Sequence, residues 1–486
     1  MNSKLTAHLD PRWKTATAII ILFALAAWGI RRVFIFNIEN HTTASQFTIA
    51  YAVAFAFLVI QMVACHFERP YKGGKEDRTV VVAVPVYNED VTLLHRNLLS
   101  LLTQTRRPDG IYVVDDGSDK ADYTELRTWF IQEASRVDVA VQWVKTPNRG
   151  KRRAQSEAFK NTPDATIYVT VDSDAILDPN AIEEGLKPFM DRRVQSVCGV
   201  VFALNNRSTL LARFTDLLFV TNQLTDRSSM SAVGSVLVNS GVLAFYRAEV
   251  IRDNLEGYLN ETFLGRPVEF SDDSMLTLYA LMRGKTVQQP SSFVFTNMPE
   301  IFSHHERQQE RWMRGSFIRS WWRLRYLPVM SWGFMRQLLG WVQLAMTSVI
   351  FTVLFIVYPM TEHKFIPELV IVPVLIGYGQ ALRYLTFRRS DMSFKSQFGI
   401  YLLAPLSWLW SFIVLRPLRF YCMVTCRKTG WNTRSEIEID MTERLAVLPH
   451  HAHQPRLAAS ADGTLIDLTV ATPQQHGLAE GTGTTS

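Results

Sequence analysis

The strongest constraint on this 486-residue chain is the way its apolar residues are grouped. Two long apolar blocks lie near the start, TATAIIILFALAAWGI at 15–30 and FTIAYAVAFAFLVIQMVAC at 47–65. Later come LLGWVQLAMTSVIFTVLFIVY at 338–358, LVIVPVLIGYGQALRYL at 369–385 and a proline-interrupted stretch from Phe398 to Val424. A helix that crosses a hydrocarbon core needs about 20 apolar residues. The grouping therefore predicts membrane helices on either side of a soluble α/β insert at 77–300.

The first block has two readings. Lys4, Arg12 and Lys14 ahead of it, with Ala24-Leu25-Ala26 inside it, fit a cleaved signal peptide. Retained, it pairs with the second block as a hairpin, against which Arg31 and Arg32 in the intervening loop argue mildly. Both readings deliver the insert to the cytoplasm, in keeping with Arg69, Lys72 and Lys75 after the second block. The net charge of +6 is small for this length, and much of the arginine adjoins apolar blocks. That pattern suits a membrane and not nucleic acid, which calls for a basic patch on a folded domain. Four scattered cysteines, Cys65, Cys198, Cys422 and Cys426, carry neither zinc spacing nor a disulfide framework. From Met441 the tail lacks a sustained period and is expected to be disordered, with His450, His451 and His453 able to bind a metal but read first as solvated residues.

Within the insert, TVVVAVPVYNED (79–90), GIYVVDDGSD (110–119), VAVQWVK (139–145) and ATIYVTVDSD (165–174) read as strands. Amphipathic stretches at 91–103 and 121–135, and a helix opening at Gly150, alternate with them. This alternation predicts a parallel sheet, whose ligands bind beyond the carboxyl ends of the strands. Asp115 and Asp116 close the second strand, and Asp172 and Asp174 close the fourth.

Each acidic cluster has a plain reading beside a chemical one. Asp172-Ser173-Asp174 can hold Mg²⁺ or Mn²⁺ across a diphosphate, or merely cap a helix. Asn148 to Arg153 is a basic turn into a helix, able to hold phosphate oxygens through backbone N–H groups and Lys151, though no Walker A pattern is present. Asp272-Asp273 precedes the helical stretch MLTLYALM. Repulsion between neighbouring carboxylates can raise one pKa to make a base, whereas Ser271 or Asp272 can simply be the N-cap. The run QQERWMRGSFIRSWWRL (308–324) reads as a helix with Gln308, Arg311 and Trp312 on one face and Trp322 nearby. Met313, Phe317, Trp321 and Leu324 form a stripe opposite, expected to rest on the bilayer, provided Gly315 does not break the helix.

Taken together and in order, D-D-G-S at 115–118, N-R-G-K-R at 148–152, D-S-D at 172–174, the pair at 272–273, Q-x-x-R-W at 308–312 and W-x-T-R at 431–434 resemble the processive family 2 inverting glycosyltransferases. Thr262-Phe263-Leu264-Gly265 and Pro267-Val268 are similar to bacterial hyaluronan synthases, and the resemblance spans about residues 45–435. It implies a GT-A-type, Rossmann-like α/β cytosolic glycosyltransferase domain (77–305) inserted in an α-helical transmembrane bundle. An N-terminal hairpin (1–70), interfacial helices (306–335), a C-terminal membrane region (336–424), a gating loop (425–440) and the tail (441–486) complete the layout.

The resemblance also assigns roles. Asp115 or Asp116, with Tyr87 and Glu89, binds uridine; Lys151 contacts the diphosphate; Asp172 and Asp174 hold Mg²⁺ or Mn²⁺. Asp273, beside Asp272, is the general base. Gln308, Arg311 and Trp312 meet diphosphate and acceptor, and Trp431, Thr433 and Arg434 belong to the loop that closes over the nucleotide. The implied partners are UDP-GlcNAc, UDP-GlcA, a growing polysaccharide and membrane lipid. Ser271-Asp272-Asp273-Ser274, Ser240-Gly241-Val242 and Trp431-Asn432-Thr433-Arg434 stand where hyaluronan synthases usually have G-D-D-R, S-G-P and W-G-T-R. These changes bear on the sugars used, leaving chitin oligosaccharide, cellulose or a glucose-glucuronate polymer as alternative products and a non-catalytic membrane scaffold as the alternative of another class. A last expectation concerns 398–424: one full crossing there strands the gating loop outside, so Pro405 and Pro417 are expected to break it into a re-entrant element or hairpin.

Overall fold

The computed structural model describes residues 5–9, 13–39, 48–73, 78–357, 360, 368–428, 457–459 and 465–467. It divides into two units, Lys4–Ile439 and a second comprising Met1–Ser3 with Asp440–Ser486.

The larger unit opens with strand β1 (Ala7–Leu9) and helices α1 (Trp13–Glu39) and α2 (Thr48–Ala64). Ile19 and Phe23 of α1 bury against Leu58 and Met62 of α2. The sheet domain follows, with β2 (Val80–Val86), α3 (Val91–Leu102), β3 (Gly110–Asp115), α4 (Thr124–Arg136), β4 (Ala140–Lys145), α5 (Lys151–Asn161) and β5 (Ile167–Val171). Next come β6 (Ile176–Leu177), β7 (Val194–Ala203), α6 (Leu210–Asn222), β8 (Leu243–Arg247), a hairpin of β9 (Thr262–Phe263) and β10 (Arg266–Pro267), α7 (Asp272–Arg283) and β11 (Lys285–Thr296). The eight-stranded sheet has the order β4-β3-β2-β5-β8-β7-β11-β6.

Period-two alternation in β2 shows why the sheet is covered on both sides. Val80, Val82, Val84 and Val86 enter one core with Leu94, Leu98 and Phe130 of α3 and α4. Val81 and Ala83 enter the other with Ala154, Ala158 and Leu276 of α5 and α7. The four strands read from the sequence pair in parallel, but the sheet as a whole is mixed. Strand β8 runs against both β5 and β7, and β6 runs against β11. The expectation of a parallel sheet fails beyond β5, where the chain no longer supplies one crossover helix per strand. With β3 on one side of β2 and β5 on the other, the carboxyl edge beside β2 is a topological switch point, where α/β sheets open a crevice.

Helix α8 (Phe302–Tyr326) runs unbroken through Gly315. Helix α9 (Trp332–Thr352) continues in a π turn to Val357, and Trp332–Val357, at 26 residues and mean hydropathy 2.0, is the one helix among the described residues long and apolar enough to cross a membrane. Helix α10 (Glu368–Ala381) leads to strand β12 (Phe387–Arg389), which pairs with β1. The β1 backbone N–H of Ala7 also donates to Asp178 Oδ2 (3.0 Å), tying the segment ahead of α1 to the sheet domain. Helices α11 (Phe394–Tyr401) and α12 (Ala404–Val424) are long and apolar enough to cross a membrane only taken as a pair, bent by 44°. Pro405 opens α12 at that bend, whereas Pro417 follows the π turn Ser411–Leu415 and leaves the helix running. A proline at the start of the segment after a π turn takes no bond from a regular ladder, so only the first expected break is present.

In the second unit, β13 (Leu457–Ala459) pairs antiparallel with β14 (Leu465–Asp467), with Asp462-Gly463 between them in the sequence. Regular structure was not expected there.

Candidate active site

Three loops meet at the carboxyl edge of the sheet. The loop after β2 is pinned to the loop after β3 by Asn88, whose Oδ1 accepts from the backbone N–H groups of Asp119 and Lys120 and whose own N–H reaches Ser118 Oγ. Glu89, buried, accepts from Ser173 Oγ through Oε2 (2.8 Å), which joins the β2 loop to the D-S-D turn. Tyr87 stands half-buried at the same edge.

The two acids after β3 are occupied within the protein. Asp115 Oδ1 accepts from the Ser118 N–H (2.8 Å). Asp116 spans the basic turn, accepting from the N–H groups of Arg149 (2.9 Å) and Gly150 (2.8 Å). Burial pushes the Asp116 carboxyl up, against the pull of those two N–H donors. The backbone donors read from the sequence as a phosphate cradle are thus bonded to Asp116. Gly150, at φ 89, supplies the left-handed turn that leads into α5.

The acids after β5 and at the start of α7 converge on one lysine. Lys151, the first residue of α5, places Nζ 2.6 Å from Asp172 Oδ1 and 3.3 Å from Asp272 Oδ2. Burial alone would lower the lysine pKa, but Asp172, Asp272 and Asp273 outweigh it and hold the ammonium firmly charged. Asp272 is itself drawn below its ordinary value, because Lys151 and Arg152 overcome the cost of burial. Asp273 goes the other way, pushed up to about 6 by burial first and by Asp272 second, with Lys151 opposing. Its Oδ2 accepts from the Gly241 N–H (3.2 Å), and its Oδ1 from the Ser274 N–H (2.6 Å). A Cβ on Gly241 would stand 3.2 Å from Lys151 Nζ, a tight contact that a small shift of the ammonium relieves. Ser271, at φ 60, takes the N-cap position of α7 but makes no side-chain capping bond.

Asp174 Oδ2 accepts from Thr296 Oγ1 (2.8 Å) at the end of β11. Among the described residues no three His, Cys, Asp or Glu side chains gather around one point. Asp172 and Asp174 stand two residues apart at one strand exit, with one oxygen of each already engaged by Lys151 and Thr296. That donor set fits a divalent cation that takes its remaining ligands from substrate phosphates and water.

Sequence reasoning missed what holds the start of α7 in place. Glu261 is buried and receives Arg152 Nη1 (2.8 Å), Arg319 through two nitrogens and Trp322 Nε1 (3.1 Å). Arg152 also donates to the carbonyl of Phe270 (2.6 Å), directly before Ser271. Gly315 brings α8 against this turn, since a Cβ there would lie 2.7 Å from Ser271 Cβ. Helical spacing puts Gly315, Arg319 and Trp322 on one face, the only signal of this strap legible in the sequence.

The expected division of α8 into two faces changes. Trp312 stacks on Phe219 of α6 (ring centroids 5.8 Å apart) and, with Met313, lines a cavity. Phe317 packs edge-on against Phe263 and Trp341, and of the expected stripe only Trp321 is more exposed than buried. Met313 and Phe317 thus meet other parts of the protein, contacts that amphipathic spacing alone cannot reveal. Gln308 Oε1 is buried without a hydrogen-bond partner among the described residues, and Arg311 is half-buried. Trp431, Thr433 and Arg434, with most of the expected gating loop, lie outside the described residues.

A switch-point sheet that gathers carboxylates and lysines at its carboxyl edge is the frame of a glycosyltransferase of the GT-A type. The sequence model of a family described as Glycosyltransferase like family 2 matches residues 77–315. A hyaluronan synthase of Streptococcus pyogenes serotype M3 is 33% identical over 393 residues, covering 80% of this chain and 90% of that protein. An N-acetylglucosaminyltransferase of Azorhizobium caulinodans is 28% identical over 400 residues, covering 80% and 96%. A solved mannosyltransferase from Pyrobaculum calidifontis, in complex with GDP-Man and Mn²⁺, is 17% identical with a TM-score of 0.49 over 76% of this chain and 98% of that one. The chain belongs to glycosyltransferase family 2, is an enzyme of that type, and within the family is similar to the hyaluronan synthases.

Proposed function

We propose that this enzyme transfers sugars processively, with inversion, from UDP-sugars to a growing polysaccharide that leaves through its own membrane helices, and that the product is hyaluronan made from UDP-GlcNAc and UDP-GlcA. The observation that carries the proposal is the gathering of Asp172, Asp272 and the raised-pKa Asp273 around Lys151. One group in that cluster is a base and another a fixed cation, as displacement of a diphosphate requires.

In this reading Asp273 takes the proton from the acceptor hydroxyl as its oxygen attacks the anomeric carbon. The bond from that carbon to the diphosphate oxygen breaks, and its electron pair leaves with UDP. Lys151 turns its ammonium toward the diphosphate as charge develops there. Asp172 and Asp174 would hold Mg²⁺ or Mn²⁺, which when bound supplies further positive charge to the leaving group. Tyr87 and Glu89 bound the nucleotide pocket. Asp115 and Asp116, engaged as they are, shape that pocket and the Lys151 turn, and meet uridine with whatever hydrogen-bonding capacity remains. Gln308, Arg311 and Trp312 present the acceptor end, and Trp431, Thr433 and Arg434 close over the nucleotide.

The β1–β12 pairing supports a retained α1, because the segment ahead of α1 packs on the domain that carries the acids. Helices α1 and α2 then form a hairpin, and both the chain start and the sheet domain face the cytoplasm at the cell membrane. A second reading, a polymer of GlcNAc alone, is favoured by the N-acetylglucosaminyltransferase relative.

The test is synthesis by purified protein given Mg²⁺ or Mn²⁺ and UDP-sugars singly and in pairs, followed by a hyaluronan-specific lyase. Polymer that needs both sugars and yields to the lyase is the expected result. Polymer from UDP-GlcNAc alone establishes the second reading, and absence of UDP release under every condition removes both.

A further inference from the structure

Helix α8 is tied to the Asp273 carboxylate by two routes. Gly315, Arg319, Trp322 and Arg323 share one face of the helix, at i, i+4, i+7 and i+8. The first route is the strap described above, in which Arg319 and Trp322 hold Glu261, Glu261 holds Arg152, and Arg152 holds the Phe270 carbonyl. The second runs through Arg323 and shares no hydrogen bond with that strap. Arg323 Nη2 donates to the carbonyl of Leu237 (2.7 Å), and Nη1 donates to Gln337 Oε1 (3.1 Å) in the opening turns of α9.

The segment around Leu237 leads straight to the acid pair. Its neighbour Val236 is fixed to β11, donating to the Thr286 carbonyl (3.1 Å) and accepting from Thr286 Oγ1 (2.7 Å). The Asn239 N–H donates to Thr277 Oγ1 (3.0 Å), which donates in turn to the carbonyl of Asp273 (2.6 Å). Two residues further on, the Gly241 N–H donates to Asp273 Oδ2 (3.2 Å). The Leu237 carbonyl is thus the point at which α8 grips the loop that aims a donor at this carboxylate.

The choice of side chain for that grip is informative. Arg323 is 3% exposed, and among the described residues it forms no ion pair with a carboxylate. Burial lowers its pKa to about 9, with Arg319 adding to the effect and Asp273 opposing it. A buried cation without a partner acid is costly, and an apolar side chain of similar size packs a helix on a loop more favourably. What the guanidinium adds is a rigid fork of donors, whose direction fixes the groups they meet.

Resting on the reading of Asp273 as the base, we propose that Arg323 is a positioning residue, which acts through the 237–241 loop to hold the Asp273 carboxylate at a fixed place relative to α8. The Glu261 strap holds the same acid from the turn before α7. In the proposed function the earlier turns of α8 present the acceptor through Gln308, Arg311 and Trp312. One rigid element then sets the distance between the base and the hydroxyl it deprotonates, where an error of about 1 Å costs up to about 10²-fold in rate.

The test is steady-state UDP release by the full-length protein in detergent, with UDP-GlcNAc, UDP-GlcA and Mg²⁺ or Mn²⁺, beside calorimetric UDP binding. Arg323→Met, which loses every donor, is expected to lower kcat about 30-fold, with the KM of either UDP-sugar and the affinity for UDP changed less than about twofold. Arg323→Lys, which keeps the charge and a donor for the Leu237 carbonyl, is expected to recover to within about threefold of wild type. Placed in the Asp273→Asn protein, Arg323→Met is expected to lower the residual rate less than about twofold, because the carboxylate it positions is already gone. A fault of packing alone adds in full in that background. If Arg323→Met no longer binds UDP and is therefore misfolded, Gln337→Leu, which frees one arm of the guanidinium, replaces it, with an expected fall in kcat of about threefold. Wild-type kcat in the variant that is read, an equal change in KM, or a full additive loss in the Asp273→Asn protein overturns the proposal and leaves the base reading standing. Near-normal turnover of Asp273→Asn, or no UDP release by the wild type, overturns the base reading and the proposal with it.

Discussion

The middle of α8 and its first turns meet opposite environments. At Gly315 the helix is pressed against the turn that holds two carboxylates, while at His305 and Trp312 it lines a cavity among whose described walls there is no carboxylate. The first region concentrates charge of both signs in a small volume, where burial and mutual repulsion set one acid apart from its neighbour. The second spreads hydroxyls, amides and rings over a larger one. In the proposed function, the difference would separate making a glycosidic bond, which needs a strong local field, from holding a polymer, which needs many weak contacts that can slip.

Breaking the first region has the larger consequences. Asp273→Asn removes the proposed base and is expected to lower transfer by about 10³-fold or more, with UDP affinity largely retained; UDP release and calorimetric UDP binding measure the two separately. Near-normal turnover removes the base assignment. Glu261→Ala leaves Arg152 and Arg319 buried beside an uncompensated gap and is expected to cost about 3–5 kcal/mol of stability, read from denaturant unfolding in detergent. A loss below about 1 kcal/mol contradicts the view that this strap holds the start of α7.

Lys151→Met is expected to lower kcat/KM by about 10²-fold. It also has a signature in pH. Asp273 accepts a proton only when ionised, so wild-type kcat should fall as pH drops through about 6. Because the Lys151 charge lowers the Asp273 pKa, its removal should move that fall to higher pH. A fall at unchanged or lower pH means that Lys151 does not face Asp273 in the working enzyme. In the second region, Trp312→Ala is expected to raise the KM for an oligosaccharide acceptor about tenfold and the donor KM much less. An equal effect on both places Trp312 with the nucleotide and dissolves the contrast between the two regions of α8.

Much of the first region is legible in the sequence because strand exits are legible. The β-branched runs ending in Asp115-Asp116 and Asp172-Ser173-Asp174 locate one sheet edge, and adjacency alone announces competition between Asp272 and Asp273. What cannot be read is which acids are spent on the protein itself. Asp116 looks as available as Asp172 in a string of letters, yet it is bonded to the Arg149 and Gly150 backbone. Glu261, Arg152 and Arg319 meet across sequence separations that no local pattern encodes.

The second region is hidden for a related reason. Helical spacing says which residues share a face but not what the face meets, so Met313 reads as lipid-facing and His305 carries no signal. The mixed sheet and the single break at Pro405 have the same origin, since each depends on neighbours supplied from elsewhere in the chain.

The most direct test of the central claim is a cryo-electron microscopy map of the Asp273→Asn protein bound to UDP-sugar and a pre-formed oligosaccharide. The acceptor end is expected to lie beside Lys151 and the amide that replaces the Asp273 carboxylate, with the chain running past the Phe219–Trp312 pair to His305. An oligosaccharide that leaves the acid cluster by another route, with the α8 cavity unfilled, contradicts that claim.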